Sequence, residues 1–142
     1  MVALTADRNT PEALGTEREG LLGAAQSIFI GSILMRNVAG QLIKGATALG
    51  SVGVGRAEKR GTSVAAGVTS QRYRSGVHRF ANQAGDLVVT ADIGAACFIV
   101  DDQTVAKTNG TATRSPAGIV DGVDALGVWV RFDEALTRAF LS

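Results

Sequence analysis

The chain has 142 residues, enough for one domain with a real core, with 46% hydrophobic residues, 5% aromatics and a net charge of +1. One cysteine, Cys97, and one histidine, His78, exclude an internal disulfide and a Cys/His zinc centre. No run of 18 apolar residues suggests a membrane helix, and the opening residues lack the basic-then-apolar pattern of a secretion signal. These features point to synthesis in a reducing cytoplasm.

Residues 1–19 are polar and aperiodic, contain Pro11 and Gly15, and read as an extended N-terminal arm. Residues 20–142 read as a single β-rich domain. The chain's 18 glycines follow no short period, which excludes collagen, and they punctuate short apolar runs as turns do in all-β proteins. Strands are expected over residues 20–26, 28–36, 41–44, 52–57, 70–80, 86–90, 96–100, 104–107, 117–120 and 127–132. Asn37–Gly40 and Asp101-Asp102-Gln103 read as hairpin connections. In Val128-Trp129-Val130-Arg131-Phe132, alternation puts Val128, Val130 and Phe132 on one face. Helix is expected only as one turn at residues 91–93 and over residues 133–141, behind an acidic first turn.

An internal repeat accompanies this pattern. Ile30-Gly31-Ser32-Ile33-Leu34-Met35 resembles Ile93-Gly94-Ala95-Ala96-Cys97-Phe98, and a polar turn and a strand ending at Lys44 or Lys107 follow in each half. Two such units closing on each other would give a small sandwich or barrel without open sheet edges.

Charge is unevenly placed. Residues 1–19 hold two basic side chains against four acidic, residues 20–80 eight against one, and residues 81–142 four against eight. A basic middle between acidic ends suits pairing with copies of itself or with a charged neighbour.

Catalytic chemistry is poorly represented. His78 lies among arginines, which disfavour the imidazolium that a general base becomes. Cys97 sits in an apolar run and reads as a small core residue. Asp101, Asp102, Asp121 and Asp124 lack the EF-hand spacing and read as turn residues. Gly50-Ser51-Val52-Gly53-Val54-Gly55 lacks the third glycine and the βαβ context of a dinucleotide site, so its glycines read as points of close strand approach. No catalytic residue, metal ligand or cofactor is expected. A rival signal is Gln71-Arg72-Tyr73-Arg74-Ser75-Gly76-Val77-His78-Arg79-Phe80. Arginines interleaved with rings at Arg72, Tyr73, Arg74 and Phe80 suit a single-stranded nucleic-acid platform, while the acidic residues after Gly85 oppose it.

Asp86–Gly94 leads into Cys97-Phe98-Ile99-Val100-Asp101-Asp102-Gln103-Thr104-Val105-Ala106. Arg114-Ser115-Pro116-Ala117-Gly118-Ile119-Val120 then precedes Gly127-Val128-Trp129-Val130. Together with Met1-Val2-Ala3-Leu4-Thr5-Ala6-Asp7-Arg8 and Gly53-Val54-Gly55, this succession resembles the small capsid decoration (cement) proteins of tailed bacteriophages and prophages. The resemblance spans most of residues 20–132 and rests on glycine and turn placement. It implies a jelly-roll-like or tulip-like β fold and a non-enzymatic virion protein made in the host bacterial cytoplasm. Such a protein binds the major capsid protein on the outer shell as a dimer or trimer and stabilises it. No contact motif of that group carries over residue by residue. The residues expected to make contact are Leu4, Thr5 and Arg8 of the arm and the basic Arg56, Lys59, Arg60, Arg72 and Arg74. A tail or fibre-base component is the alternative within structural proteins, and a single-stranded nucleic-acid-binding barrel the alternative outside them.

Overall fold

In the computed structural model, residues 2–141 are described. The strands are β1 (Glu17–Leu21), β2 (Ser27–Ile28), β3 (Ile33–Arg36), β4 (Leu42–Lys44), β5 (Val52–Ala57) and β6 (Gly61–Thr62). There follow β7 (Ser70–Arg74), β8 (Gly76–Asn82), β9 (Ala96–Ile99), β10 (Thr104–Ala106), β11 (Pro116–Asp124) and β12 (Gly127–Phe132). A 3-10 turn at Thr90–Asp92 and a C-terminal helix, α1 (Glu134–Leu141), complete the chain. The protein is mainly β, with a closed five-stranded barrel and one short C-terminal helix.

The internal repeat is structural. The first sheet runs β1-β7-β5-β3-β4 and the second, a closed barrel, runs β8-β12-β11-β9-β10. These are the same order, strand for strand. In the first, Leu34 faces Gly55 and Met35 faces Gly53, with Val54 bulged between them. In the second, 63 positions on, Cys97 faces Gly118 and Phe98 faces Pro116, with Ala117 bulged. Glu19 faces Arg72 as Arg79 faces Trp129, and Gly20 faces Gln71 as Phe80 faces Val128. The second barrel closes through parallel pairing of Val105 with Asn82, extended by the Gln83 N–H donating to the Val105 carbonyl at 2.9 Å. The ends of the first sheet meet in one parallel bridge, Leu22 to Leu42, extended by the Gly23 N–H on the Leu42 carbonyl at 2.8 Å. Rather than closing on each other, each unit curls on itself, the second as a closed barrel and the first as a partial one whose ends meet only at that bridge, and the two pack together.

The shared bulge has a steric cause. A Cβ on Gly55 would lie 2.2 Å from the Arg74 carbonyl oxygen, and one on Gly118 would lie 2.3 Å from that of Arg131. Only glycine lets the neighbouring strand come this close, and the bulge supplies the bend a small barrel needs. At the turn before β3 and β9 the two units share a second glycine, required there by a left-handed backbone rather than by close approach. Gly31 and Gly94 have φ of 90° and 92°, and their N–H groups donate to Ala57 and Val120, both at 2.9 Å.

Alternation then sorts the side chains. In the first barrel Leu22, Leu34, Leu42, Val54, Ala57 and Tyr73 form one cluster with Ile28. Ile33 and Met35 point the other way from Leu34 and join the second barrel's residues, among them Cys97, Val105, Val120, Val130 and Phe132. Each such fully buried aliphatic side chain contributes about 1.5–3 kcal/mol, so β3 serves two cores at once. Polar contacts reinforce the seam: the Ser115 hydroxyl donates to Ala48 and the Thr47 hydroxyl to Val100, both at 2.7 Å.

Beyond shifts of strand ends, as in β11, which runs on to Asp124, and the unexpected β6, four differences bear on the site. The first strand covers residues 17–21 rather than 20–26, so residues 17–19 belong to the barrel and the arm is shorter than 1–19. Residues 28–36 split at the Gly31 turn into β2 and β3. Residues 70–80 split at Ser75, where Gly76 has φ of 95°, and this break is the junction of the two units. Residues 86–90 form no strand; the Asn82 side-chain amide takes the ladder's place, bonding both the N–H (2.9 Å) and the carbonyl (2.8 Å) of Val88.

Candidate partner-binding surface

The five basic residues expected to make contact fall into two groups. Arg56, Arg72 and Arg74 lie on adjacent strands: Arg74 is paired in register with both Arg56 and Glu17, and Arg72 with Glu19. Two of the three are already neutralised. Glu58 takes Arg56 at 2.8 Å and lies 3.8 Å from Arg74, which also approaches Glu17 at 3.4 Å. The hydrogen bond from Arg56 holds the Glu58 carboxyl below its ordinary range. Arg72 is exposed and has no ion pair among the described residues, since Glu19 opposite it accepts the Ser70 hydroxyl. Of the three, Arg72 is the cation available to a partner.

Lys59 and Arg60 lie on the loop after β5. Lys59 is half-buried and its carbonyl accepts the Gln71 side-chain amide at 2.9 Å. The Arg60 guanidinium sits 5.3 Å from the centre of the exposed Phe29 ring, beside exposed Ile30. The arm is a third group. Leu4, Thr5 and Arg8 are all exposed, and the arm meets the barrels at Thr16, whose carbonyl accepts the Ser75 N–H at 3.1 Å. The structure therefore places the eight expected contact residues in three separate groups.

The nucleic-acid platform, the rival reading of Arg72, Tyr73, Arg74 and Phe80, finds no open ring. Tyr73 and Phe80 are each only 7% exposed. Tyr73 lies in the first barrel's cluster, where its hydroxyl accepts from Arg36 at 3.1 Å. Phe80 packs edge-on against Phe132 at 5.8 Å in the second. Neither ring is open to a base.

The residues weighed for chemistry are tied into structure. His78 Nε2 lies 3.1 Å from the carbonyls of both Arg74 and Ser75, as a ring nitrogen carrying the proton would. Burial, with Arg56 nearby, lowers its pKa below the ordinary value. Burial pushes the Cys97 thiol up to about 12, so it carries no thiolate at neutral pH. Asp101 accepts the Gln103 N–H and Asp124 accepts those of Leu126 and Gly127, the turn roles expected of them. Among the described residues no three His, Cys, Asp or Glu side chains cluster for a metal ion. No helix among them is long and apolar enough to cross a membrane.

One cluster escaped the sequence reading. Trp129 donates its indole N–H to Asp124 at 2.9 Å, and the Arg79 guanidinium stacks 5.2 Å from the indole centre. The signal was present, since alternation in β12 turns Trp129 and Arg131 outward. Their pairing with Arg79 becomes visible only with the β8–β12 register. A depression of about 440 Å³ opens beside this cluster, between Leu87 and Leu126. No protein-family model, curated protein or solved structure matches the chain.

Proposed function

We propose that this chain is a non-enzymatic virion structural protein that binds the outside of a phage capsid shell, through the major capsid protein, and stabilises it. The observation that carries the reading is the arm. Residues 2–16 are exposed throughout, and Val2, Leu4 and Leu14 are 87%, 72% and 77% exposed. Apolar side chains on an extended segment, anchored to a rigid body only at its root, gain by ordering on another surface. The barrels supply that body: two cores with side-chain interiors, stiff enough to brace neighbouring subunits. Many such contacts, each weak, sum across a repeating shell. The resemblance of residues 20–132 to decoration proteins supplies the partner. A tail or fibre-base site uses the same surfaces on a different partner. The nucleic-acid alternative loses its stacking residues to the two cores.

The test is co-sedimentation of purified protein with phage heads that lack it. Stoichiometric binding is expected, weakened about tenfold or more by Arg72→Gln, which removes the charge without setting a like charge against Glu19 and so leaves the unfolding midpoint unchanged. Arg74→Glu is a poorer probe, because it also breaks the contacts with Glu17 and Glu58. Absence of binding to heads sinks the capsid reading, and binding to tails instead establishes the alternative.

A further inference from the structure

We propose that the β8–β12 face of the second barrel, centred on Trp129, is a docking site for the N-terminal arm of a second copy of this chain. The face combines the residue types that dominate protein–protein contacts, an indole and arginines beside exposed leucines. Val77, Leu87, Leu126 and Trp129 are each at least 37% exposed, so the patch is apolar and open. Trp129 is held before any partner arrives, by its hydrogen bond to Asp124 and by Arg79 over its ring. Fixing an aromatic in advance lowers the entropy cost of binding. The hairpin is fixed as well, since Asp124 accepts the N–H groups of Leu126 at 2.8 Å and Gly127 at 3.1 Å.

The arm has the complementary chemistry. It carries leucines without a covering surface, Leu4 and Leu14, and the carboxylates Asp7 and Glu12, which have no ion pair among the described residues. The face offers a depression of about 440 Å³ for an aliphatic side chain. The free cation of the face is Arg131, two residues along β12 from Trp129, exposed and without an ion pair among the described residues, whereas Arg79 is already paired with Asp124 at 3.6 Å. Reach is sufficient: the fifteen residues 2–16 span about 50 Å when extended at roughly 3.3 Å per residue. The duplication explains why the arm selects the second barrel. At the matching places the first barrel has Glu17 and Glu19 on β1 where the second has Val77 and Arg79 on β8. On that face Glu17 and Glu19 are balanced by Arg74 and Arg72, and Arg72 stands where the second barrel has Trp129, so the first barrel offers no aromatic anchor there. No residue of the chain's own arm lines the depression beside Trp129, so the face is open to a second copy. This inference stands whether or not the capsid reading does.

Trp129 is the only tryptophan and therefore reports directly on its own face. The experiment is a dilution series of the full chain, followed in parallel by sedimentation and by tryptophan emission. We expect self-association, with emission moving to shorter wavelength over the same concentration range. Arg131→Glu and Leu14→Asp should each weaken association about tenfold or more, while Lys44→Glu, on an exposed strand end, leaves it unchanged. Three results would overturn the proposal. One is a monomer at every concentration; another is association without a change in Trp129 emission. The third is blue-shifted emission independent of concentration, which would mean that the chain's own arm covers the site.

Discussion

The two barrels follow one register and carry different outer faces. On β1 and β7 the first barrel places Glu17 and Glu19 opposite Arg74 and Arg72. On β8 and β12 the second places Val77 and Arg79 opposite Arg131 and Trp129. Inside, Gly20 and Gln71 of the first correspond to Phe80 and Val128 of the second. Gln71 is fully buried with its side-chain oxygen unbonded, a cost of about 1–3 kcal/mol that Val128 does not carry. Connections diverge too: residues 58–69 join β5 to β7, whereas Ala125 and Leu126 alone join β11 to β12. What the two halves share most closely is the strand order and the glycines of the bulge and turn, where backbone geometry leaves little choice. Everything facing solvent was free to specialise, the first barrel toward a charge-balanced ladder and the second toward an apolar, arginine-flanked patch.

The largest effect should come from breaking the shared geometry. Gly55→Ala and Gly118→Ala each drive a methyl group into a carbonyl oxygen of the next strand, at 2.2 and 2.3 Å. We expect each to cost about 3 kcal/mol or more in urea unfolding, against less than about 0.5 kcal/mol for Gly85→Ala, which meets nothing within 4 Å. A mild effect at Gly55 alone would mean that the first barrel, closed by a single bridge, tolerates distortion that the second does not.

An intermediate effect separates the halves by pH. His78 in the second barrel corresponds to Arg18 in the first, which keeps its charge throughout. Because folding lowers the His78 pKa, the unfolded chain binds the proton more readily. The contribution of His78 is therefore full above the unfolded value near 6.5 and is lost as pH falls below it. Stability should drop between pH 7.5 and pH 5, and His78→Gln should reduce that drop. An identical drop in the variant would assign the loss to other groups.

The smallest effect concerns the ladder of the first barrel. Glu58→Gln should cost less than about 1 kcal/mol, and less still in high salt, because the group is near the surface. A cost that salt leaves unchanged would show Glu58 acting through packing rather than charge.

The sequence was legible where local chemistry decides the outcome. Residues 52–57 and 127–132 matched β5 and β12 end to end, because Gly-Val alternation in one and strict period two in the other leave little freedom. The aspartate turns and the buried cysteine followed from their neighbours in the same way. The break at Ser75–Gly76 was not legible, and it changed the reading of the site. A continuous strand over residues 70–80 would place Arg74 and Phe80 on one face. The break shifts the phase by one residue, so Phe80 turns inward while Arg74 stays out. The nucleic-acid platform disappears with that shift. The Asn82 clasp on Val88 was equally hidden, since it depends on a side chain substituting for a strand. The Trp129 cluster needed the pairing of strands about fifty residues apart.

The most direct test of the assembly role is cryo-EM of phage heads that lack the protein, after incubation with it. The account predicts ordered density on the outer shell, with the double barrel standing on capsid subunits and residues 2–16 traced along a neighbouring molecule. Heads that remain bare under conditions where the protein is folded would contradict it.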